Sequence, residues 1–158
     1  MVAGGRGFVG WLSVTVHPMS EFAYLTTRGR RTGRPHTIEI WYAQSGDTVY
    51  LLSGRGERAD WVKNLRQDPR VEIRLGGPRT QRADLPGTRP AVARVVVDLS
   101  EEHRARRLMA SKYQGWREGQ PLSEWARESL VVAVDLGSPT SGGAPYAAGS
   151  PPSPARAR

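Results

Sequence analysis

Four arginines fall within the seven-residue run Arg28-Gly29-Arg30-Arg31-Thr32-Gly33-Arg34, and no acidic residue stands among them. Arginine next to glycine suits phosphate, because the guanidinium fork binds two oxygens while glycine lets backbone N–H groups approach the anion. The same run also fits a solvated hairpin loop, and sequence alone leaves both readings open. A second basic pair, Arg55 and Arg58, flanks Gly56 at the start of an expected helix, where free N–H groups and the helix dipole favour an anion. No Walker loop, dinucleotide fingerprint, zincin motif or nucleophile elbow occurs, and Gly54-Arg55-Gly56 is too short for a dinucleotide signature. The histidines, His17, His36 and His103, are far apart, and the expectation is no metal site. His36 alone adjoins the basic loop, where it either touches an anion or caps the following strand.

The elements that must hold these residues are mostly strands. Phe22 to Thr27 reads as one, and Thr37 to Ala43 as a second, with Ile38, Ile40 and Tyr42 on one face and Glu39 and Trp41 on the other. Glu39 reads as a solvated residue paired with an arginine across the sheet. The turn Ser45-Gly46-Asp47 leads into a third strand over Thr48 to Ser53. A helix follows over Glu57 to Gln67, with Trp61, Val62 and Leu65 on its apolar stripe, ended by Asp68-Pro69. At that spacing Trp61 reads as core ahead of ligand contact.

Val71, Ile73 and Leu75 alternate with Glu72 and Arg74 in the next strand; a weak strand near Gln81 to Leu85 and another over Val92 to Leu99 come after it. Ser100, followed by Glu101 and Glu102, predicts the N-cap of a helix striped by Ala105, Leu108, Met109 and Tyr113. A short helix near Leu122 to Arg127 precedes a last strand, Leu130 to Leu136. Hairpin-length connections point to an antiparallel sheet or small barrel with helices packed outside.

The chain has 158 residues, no cysteine and 38% hydrophobic content, which fits one domain spanning 22–136. Residues 1–21 read as a loosely ordered arm, and 137–158, rich in Gly, Ser, Pro and Ala, as a disordered tail. Without cysteine or a signal-type apolar stretch, the expected setting is cytoplasmic. The formal charge of +8 comes from 23 basic against 15 acidic residues, and only Lys63 and Lys112 are lysines. A basic surface of that kind attracts any polyanion, small molecule or nucleic acid alike.

Taken in order, several motifs resemble the deazaflavin-dependent nitroreductase family. They are Leu25 to His36 with its arginine loop, Ile38-Glu39-Ile40-Trp41-Tyr42, Leu51-Leu52-Ser53 with a Gly-rich turn, and Trp61-Val62-Lys63-Asn64-Leu65 ahead of Asp68-Pro69-Arg70-Val71. The resemblance covers roughly residues 22–136 and extends to Lys112-Tyr113, Trp116 and Trp125. It implies a mostly β fold, a split β-barrel of about six to seven antiparallel strands with helices outside, and the 8-hydroxy-5-deazaflavin coenzyme F420 as cofactor. By the same resemblance Arg30, Arg31, Thr32 and Gly33 hold the coenzyme's phosphate side, and His36, Thr37, Ile38, Glu39, Ile40 and Trp41 form the strand beside its ring. Leu52, Ser53, Gly54 and Arg55 with Arg58 form the next strand end and turn, while Asp60, Trp61 and Asn64 sit on the covering helix. Tyr113 and Trp116 match the segment bordering the substrate, with Tyr113 a proton donor or part of the substrate wall. The chain departs from the family in carrying His36 where a basic residue is usual, and in a loop before Trp61 about two residues shorter.

The function implied is hydride transfer from reduced coenzyme to a quinone, an enone or a nitro compound. Rival readings keep the fold but bind FMN or haem, or carry a ligand without turnover; a more distant one is a basic nucleic-acid-binding module. The leading reading takes a small-molecule acceptor and no nucleic acid as partner. It has no transmembrane segment, admits peripheral membrane contact, and leaves a dimer open.

Overall fold

The computed structural model of the chain describes residues 22–76 and 86–137; the expected arm over 1–21, the weak strand near 81–85 and the tail beyond Gly137 lie outside the described residues. Six strands form within them: β1 (Phe22–Arg28), β2 (Pro35–Ser45), β3 (Thr48–Ser53), β4 (Arg70–Leu75), β5 (Arg89–Val95) and β6 (Leu130–Asp135). They close into an antiparallel barrel in the order β1-β2-β3-β6-β5-β4. Helices α1 (Asp60–Gln67), α2 (Leu99–Gln114) and α3 (Glu124–Glu128) lie against it.

Period-two alternation builds the interior. Leu25, Val49, Leu51, Val71, Ile73, Val132 and Val134 point inward, and Ala59, Val62 and Leu65 join them from α1 and the residue before it. A second layer forms outside the barrel, where Tyr50, Leu52, Val131 and Ala133 meet Val96, Ala105 and Met109. β3 and β6 are therefore buried on both faces, which is why their sequences are near-continuous apolar runs rather than alternating ones.

β2 exchanges neighbours halfway. Residues from Pro35 to Trp41 pair with β1, whereas only Tyr42 to Ser45 pair with β3. The barrel is split at that point, and β2 between His36 and Trp41 has a strand partner on one edge only among the described residues.

Several boundaries differ from the sequence expectation, three of them with a plain physical reason. The helix read over Glu57 to Gln67 is two pieces, a 3-10 turn (Gly56–Arg58) and α1, because Ala59 is extended (φ −63°, ψ 134°) and buried in the barrel interior. β5 ends at Val95 instead of Leu99, since Val97 finds nothing to pack on and is 88% exposed. The N-cap of α2 is Asp98 rather than Ser100: its carboxylate accepts from the Glu101 N–H at 2.7 Å, an Asp-x-x-Glu pattern that starts the helix at Leu99.

Candidate functional site

The arginine loop joins β1 to β2 and docks on α1. Gly29 N–H donates to Arg34 C=O and Gly33 N–H to Gly29 C=O, each at 2.8 Å, so the turn closes on itself. Gly33 has φ +69°, the left-handed conformation that side chains resist. At Gly29 the constraint is space: a Cβ would lie 2.8 Å from His36 Nε2, so the imidazole packs directly on this glycine.

Asn64 ties the loop to the helix. Its side chain is buried; Oδ1 accepts from the Arg30 backbone N–H at 3.2 Å and from Arg30 Nη1 at 3.1 Å, and Nδ2 donates to Thr27 Oγ1 at 3.1 Å. Arg30 Nη2 also meets Asp60 Oδ1 at 3.1 Å. Arg28 is engaged too, donating to Gly33 C=O at 3.3 Å and lying 3.8 Å from Asp68.

Arg31 and Arg34 are different, for neither guanidinium has a hydrogen bond or ion pair to a described residue. The backbone N–H groups of Arg31 and Thr32 likewise bond to none, and the Thr32 hydroxyl, which accepts from Arg34 N–H at 3.3 Å, keeps its own proton to donate. These are uncommitted donors on a rigid turn.

Those of Arg31 and Thr32, though not Arg34, face a cavity of about 720 Å³, lined from the loop by Gly29, Arg30, Arg31 and Thr32, from the strands by Thr27, Pro35, His36, Thr37 and Ile38, and from α1 by Asp60, Trp61 and Asn64. Its size lies within the usual range for small-molecule and cofactor sites. Trp61 serves both readings given to it, packing on the barrel interior and walling the cavity. One end of the cavity thus offers anion donors and the other a flat apolar wall, which fits a ligand that joins an anionic tail to a planar ring. Thr27 and Pro35 had no signal of their own in the sequence, and Gly29 figured only as part of the basic run.

Other expected site residues lie elsewhere. Leu52 is under α2 in the outer layer, and Ser53 is buried with its hydroxyl on Gly56 C=O at 2.9 Å. Gly54, Arg55 and Arg58 are exposed, and neither of these two guanidiniums has a partner among the described residues. Glu39 accepts from Tyr24 Oη at 2.9 Å, and Ile40 packs on the interior.

Trp41, 40% exposed, stacks on Tyr113 with centroids 4.6 Å apart and meets Trp125 edge-on at 5.5 Å. The Tyr113 hydroxyl accepts from Tyr42 N–H at 3.0 Å and donates to Tyr42 C=O at 2.8 Å. Trp116 lines a separate groove with Leu108 and Ser111 and donates from Nε1 to Gln120 C=O at 2.8 Å. Among the described residues, no three His, Asp or Glu side chains converge as a metal site would require. No helix there is long and apolar enough to cross a membrane.

The profile of the F420H(2)-dependent quinone reductase family matches residues 4–136. An F420H(2)-dependent quinone reductase of Mycobacterium tuberculosis is 34% identical over 77 residues, 47% of this chain and 52% of the relative, so the chain spans about half the length of the curated relatives it matches. Among solved structures, an F420-H2 dependent reductase (FDR-A) superposes with a TM-score of 0.52 at 18% identity, covering 73% of this chain and 94% of that one. The heme storage protein HutZ of Vibrio cholerae gives 0.54 at 20% identity, covering 73% and 81%. At these identities the two structures show a shared fold alone.

Proposed function

Because the chain belongs to the F420H(2)-dependent quinone reductase family, we propose that it reduces a quinone with the reduced deazaflavin coenzyme F420, bound in the cavity between the arginine loop and α1. The observation that carries this reading is the donor set of the loop: Arg31, the N–H groups of Arg31 and Thr32, and the Thr32 hydroxyl, all uncommitted within the described residues and held in place through Asn64. The coenzyme, when bound, supplies a hydride, which with one proton converts the quinone to its hydroquinone.

The chain's own work is binding and orientation. Asn64 fixes the loop relative to α1 and so to the cavity that Trp61 and Ile38 also line, residues that would give a planar ring an apolar wall. Arg31 holds negative charge at the loop end, and His36 adds a ring nitrogen beside it. No acid–base pair is needed in the protein, since the proton comes from solvent or from Tyr113, whose hydroxyl donates a hydrogen bond to Tyr42 C=O. In this reading Tyr113 and Trp116, outside the cavity, act on the acceptor side or only on packing.

The test is titration of the full chain with F420, FMN, haem and an oligonucleotide, followed by an F420H2-dependent assay with a soluble quinone. Saturable binding of F420 with quinone reduction is expected. Binding of FMN or haem in its place keeps the fold and overturns the chemistry; binding of the oligonucleotide alone overturns both.

A further inference from the structure

The cavity proposed to receive an anionic coenzyme contains a carboxylate. Asp60 is 79% exposed and stands with Oδ1 3.1 Å from Arg30 Nη2, whereas the Arg30 side chain is only 23% exposed. Asn64 Oδ1 takes both the Arg30 backbone N–H and Nη1, which fixes the guanidinium plane and leaves Nη2 as the corner turned toward Asp60. An oxygen of Asp60 therefore occupies the position where an oxygen of an incoming phosphoryl group would be bound. Both groups line the same cavity.

We propose that Asp60 is a built-in competitor for Arg30, a positioning residue that must be displaced before the coenzyme's phosphoryl group can engage the guanidinium. This rests on the coenzyme reading above for its physiological ligand, although the exchange itself applies to any phosphate-bearing anion. Exposed ion pairs are weak because water and salt screen both charges, so a phosphoryl group, with more acceptor oxygens, displaces the carboxylate readily. The carboxylate then swings into solvent at little cost, since most of its surface is already there. The arrangement lowers affinity and hastens release. That suits a hydride carrier that arrives reduced and leaves oxidised at every turnover. The Arg30 guanidinium is held between Asn64 on one side and Asp60 on the other.

The competitor makes a prediction opposite in sign to that for a ligand contact: removing it tightens binding. The experiment is calorimetric titration of the full chain with inorganic pyrophosphate at neutral pH and low salt, on wild type, Asp60→Asn, Arg30→Ala and the double variant. Asp60→Asn is expected to bind pyrophosphate about two- to fivefold more tightly than wild type, the range an exposed ion pair commands. In the Arg30→Ala background the same change should leave affinity unaltered. Equal or weaker binding by Asp60→Asn overturns the proposal and makes Asp60 a bystander or a direct ligand contact. A gain that persists without Arg30 also overturns it, since charge removal near the start of α1 would then suffice. Asp60→Ser, with melting temperatures for every variant, separates these outcomes from loss of the helix start. Failure of wild type to bind F420, with the pyrophosphate gain intact, would remove the coenzyme reading and leave the exchange standing.

Discussion

Of the four loop arginines, two hold the site together and two face outward. Arg28 and Arg30 are bonded to Gly33, Asn64 and Asp60, whereas the guanidiniums of Arg31 and Arg34 have no partner among the described residues. This division makes binding and stability separable by single substitutions. Arg31→Ala should weaken F420 affinity by about ten- to a hundredfold, the loss of one charge-assisted contact worth roughly 1.5–3 kcal/mol, with the melting temperature unchanged. Arg30→Ala should lower both, because it also strips Asn64 Oδ1 of one of its two donors and leaves Asp60 without its cation. Fluorescence titration and thermal denaturation on the two variants check this; equal thermal losses, or F420 affinity unmoved by Arg31→Ala, would refute the assignment. The sequence made the loop visible through charge density alone. It could not show which arginines were spoken for, since Arg30 and Thr27 meet Asn64 across 34 and 37 residues of chain.

At the level of elements, the end of α2 is fastened to β2 at the split in the barrel. The Tyr113 hydroxyl bonds both backbone groups of Tyr42, Lys112 Nζ donates to the same carbonyl at 2.7 Å, and the Tyr113 ring stacks on Trp41. Tyr42 is where β2 leaves β1 for β3, so the helix braces the strand at its change of partner. Tyr113→Phe should therefore destabilise the fold by about 1–3 kcal/mol, chiefly by leaving the Tyr42 N–H without its partner, while F420 affinity stays within a few fold. A silent melting temperature with altered turnover would return Tyr113 to the acceptor wall. The junction of α1 and β4 is charged instead. Asp68, whose backbone N–H caps α1 on Asn64 C=O, has its carboxyl held down from 3.8 to about 2, first by the side-chain hydrogen bonds of Arg70 and then by the Arg70 backbone N–H. A carboxyl lower in the folded than in the unfolded state stabilises above its unfolded value, and that stabilisation is lost as pH falls from about 4 toward 2. The melting-temperature gap between wild type and Asp68→Asn should thus be widest at neutral pH and shrink across that window; a gap independent of pH would show that the charge is not what matters. Strand positions were legible because alternation and apolar runs reflect burial directly. The ends of β5 and the break at Ala59 were not: Val96 and Val97 carry strand propensity into a loop that Asp98 must form to cap α2, and alanine gives no hint that it fills the barrel interior.

For the whole molecule the question is what a charge of +8 is for. Many arginines are spent on internal ties. Arg106 donates to Ala126 C=O and Ser129 C=O at 2.7 Å and pairs with Glu102, fixing α3 on α2, and Arg94 joins Glu101 and Asp135 at 2.7 and 2.9 Å. Cations without an acidic partner among the described residues include Arg31 and Arg34 in the loop and Arg55 and Arg58 before α1, and the two segments are drawn together where Arg30 reaches Asp60. Of these only Arg31 lines the cavity, where a small anion is held through a few contacts, whereas a nucleic-acid surface spreads contacts over many phosphates. Salt dependence separates the two, because each phosphate contact on duplex DNA contributes about −0.9 to the slope of log affinity against log salt. For F420 a shallow slope of roughly −1 to −2 is expected between about 50 and 500 mM salt, flattening in Arg31→Ala, since only the few anionic groups of one coenzyme are engaged and screening acts on those alone. A slope steeper than about −4 for an oligonucleotide, with no measurable affinity for F420, would move the basic loop from a coenzyme anchor to a phosphate track and take the proposed reductase activity with it.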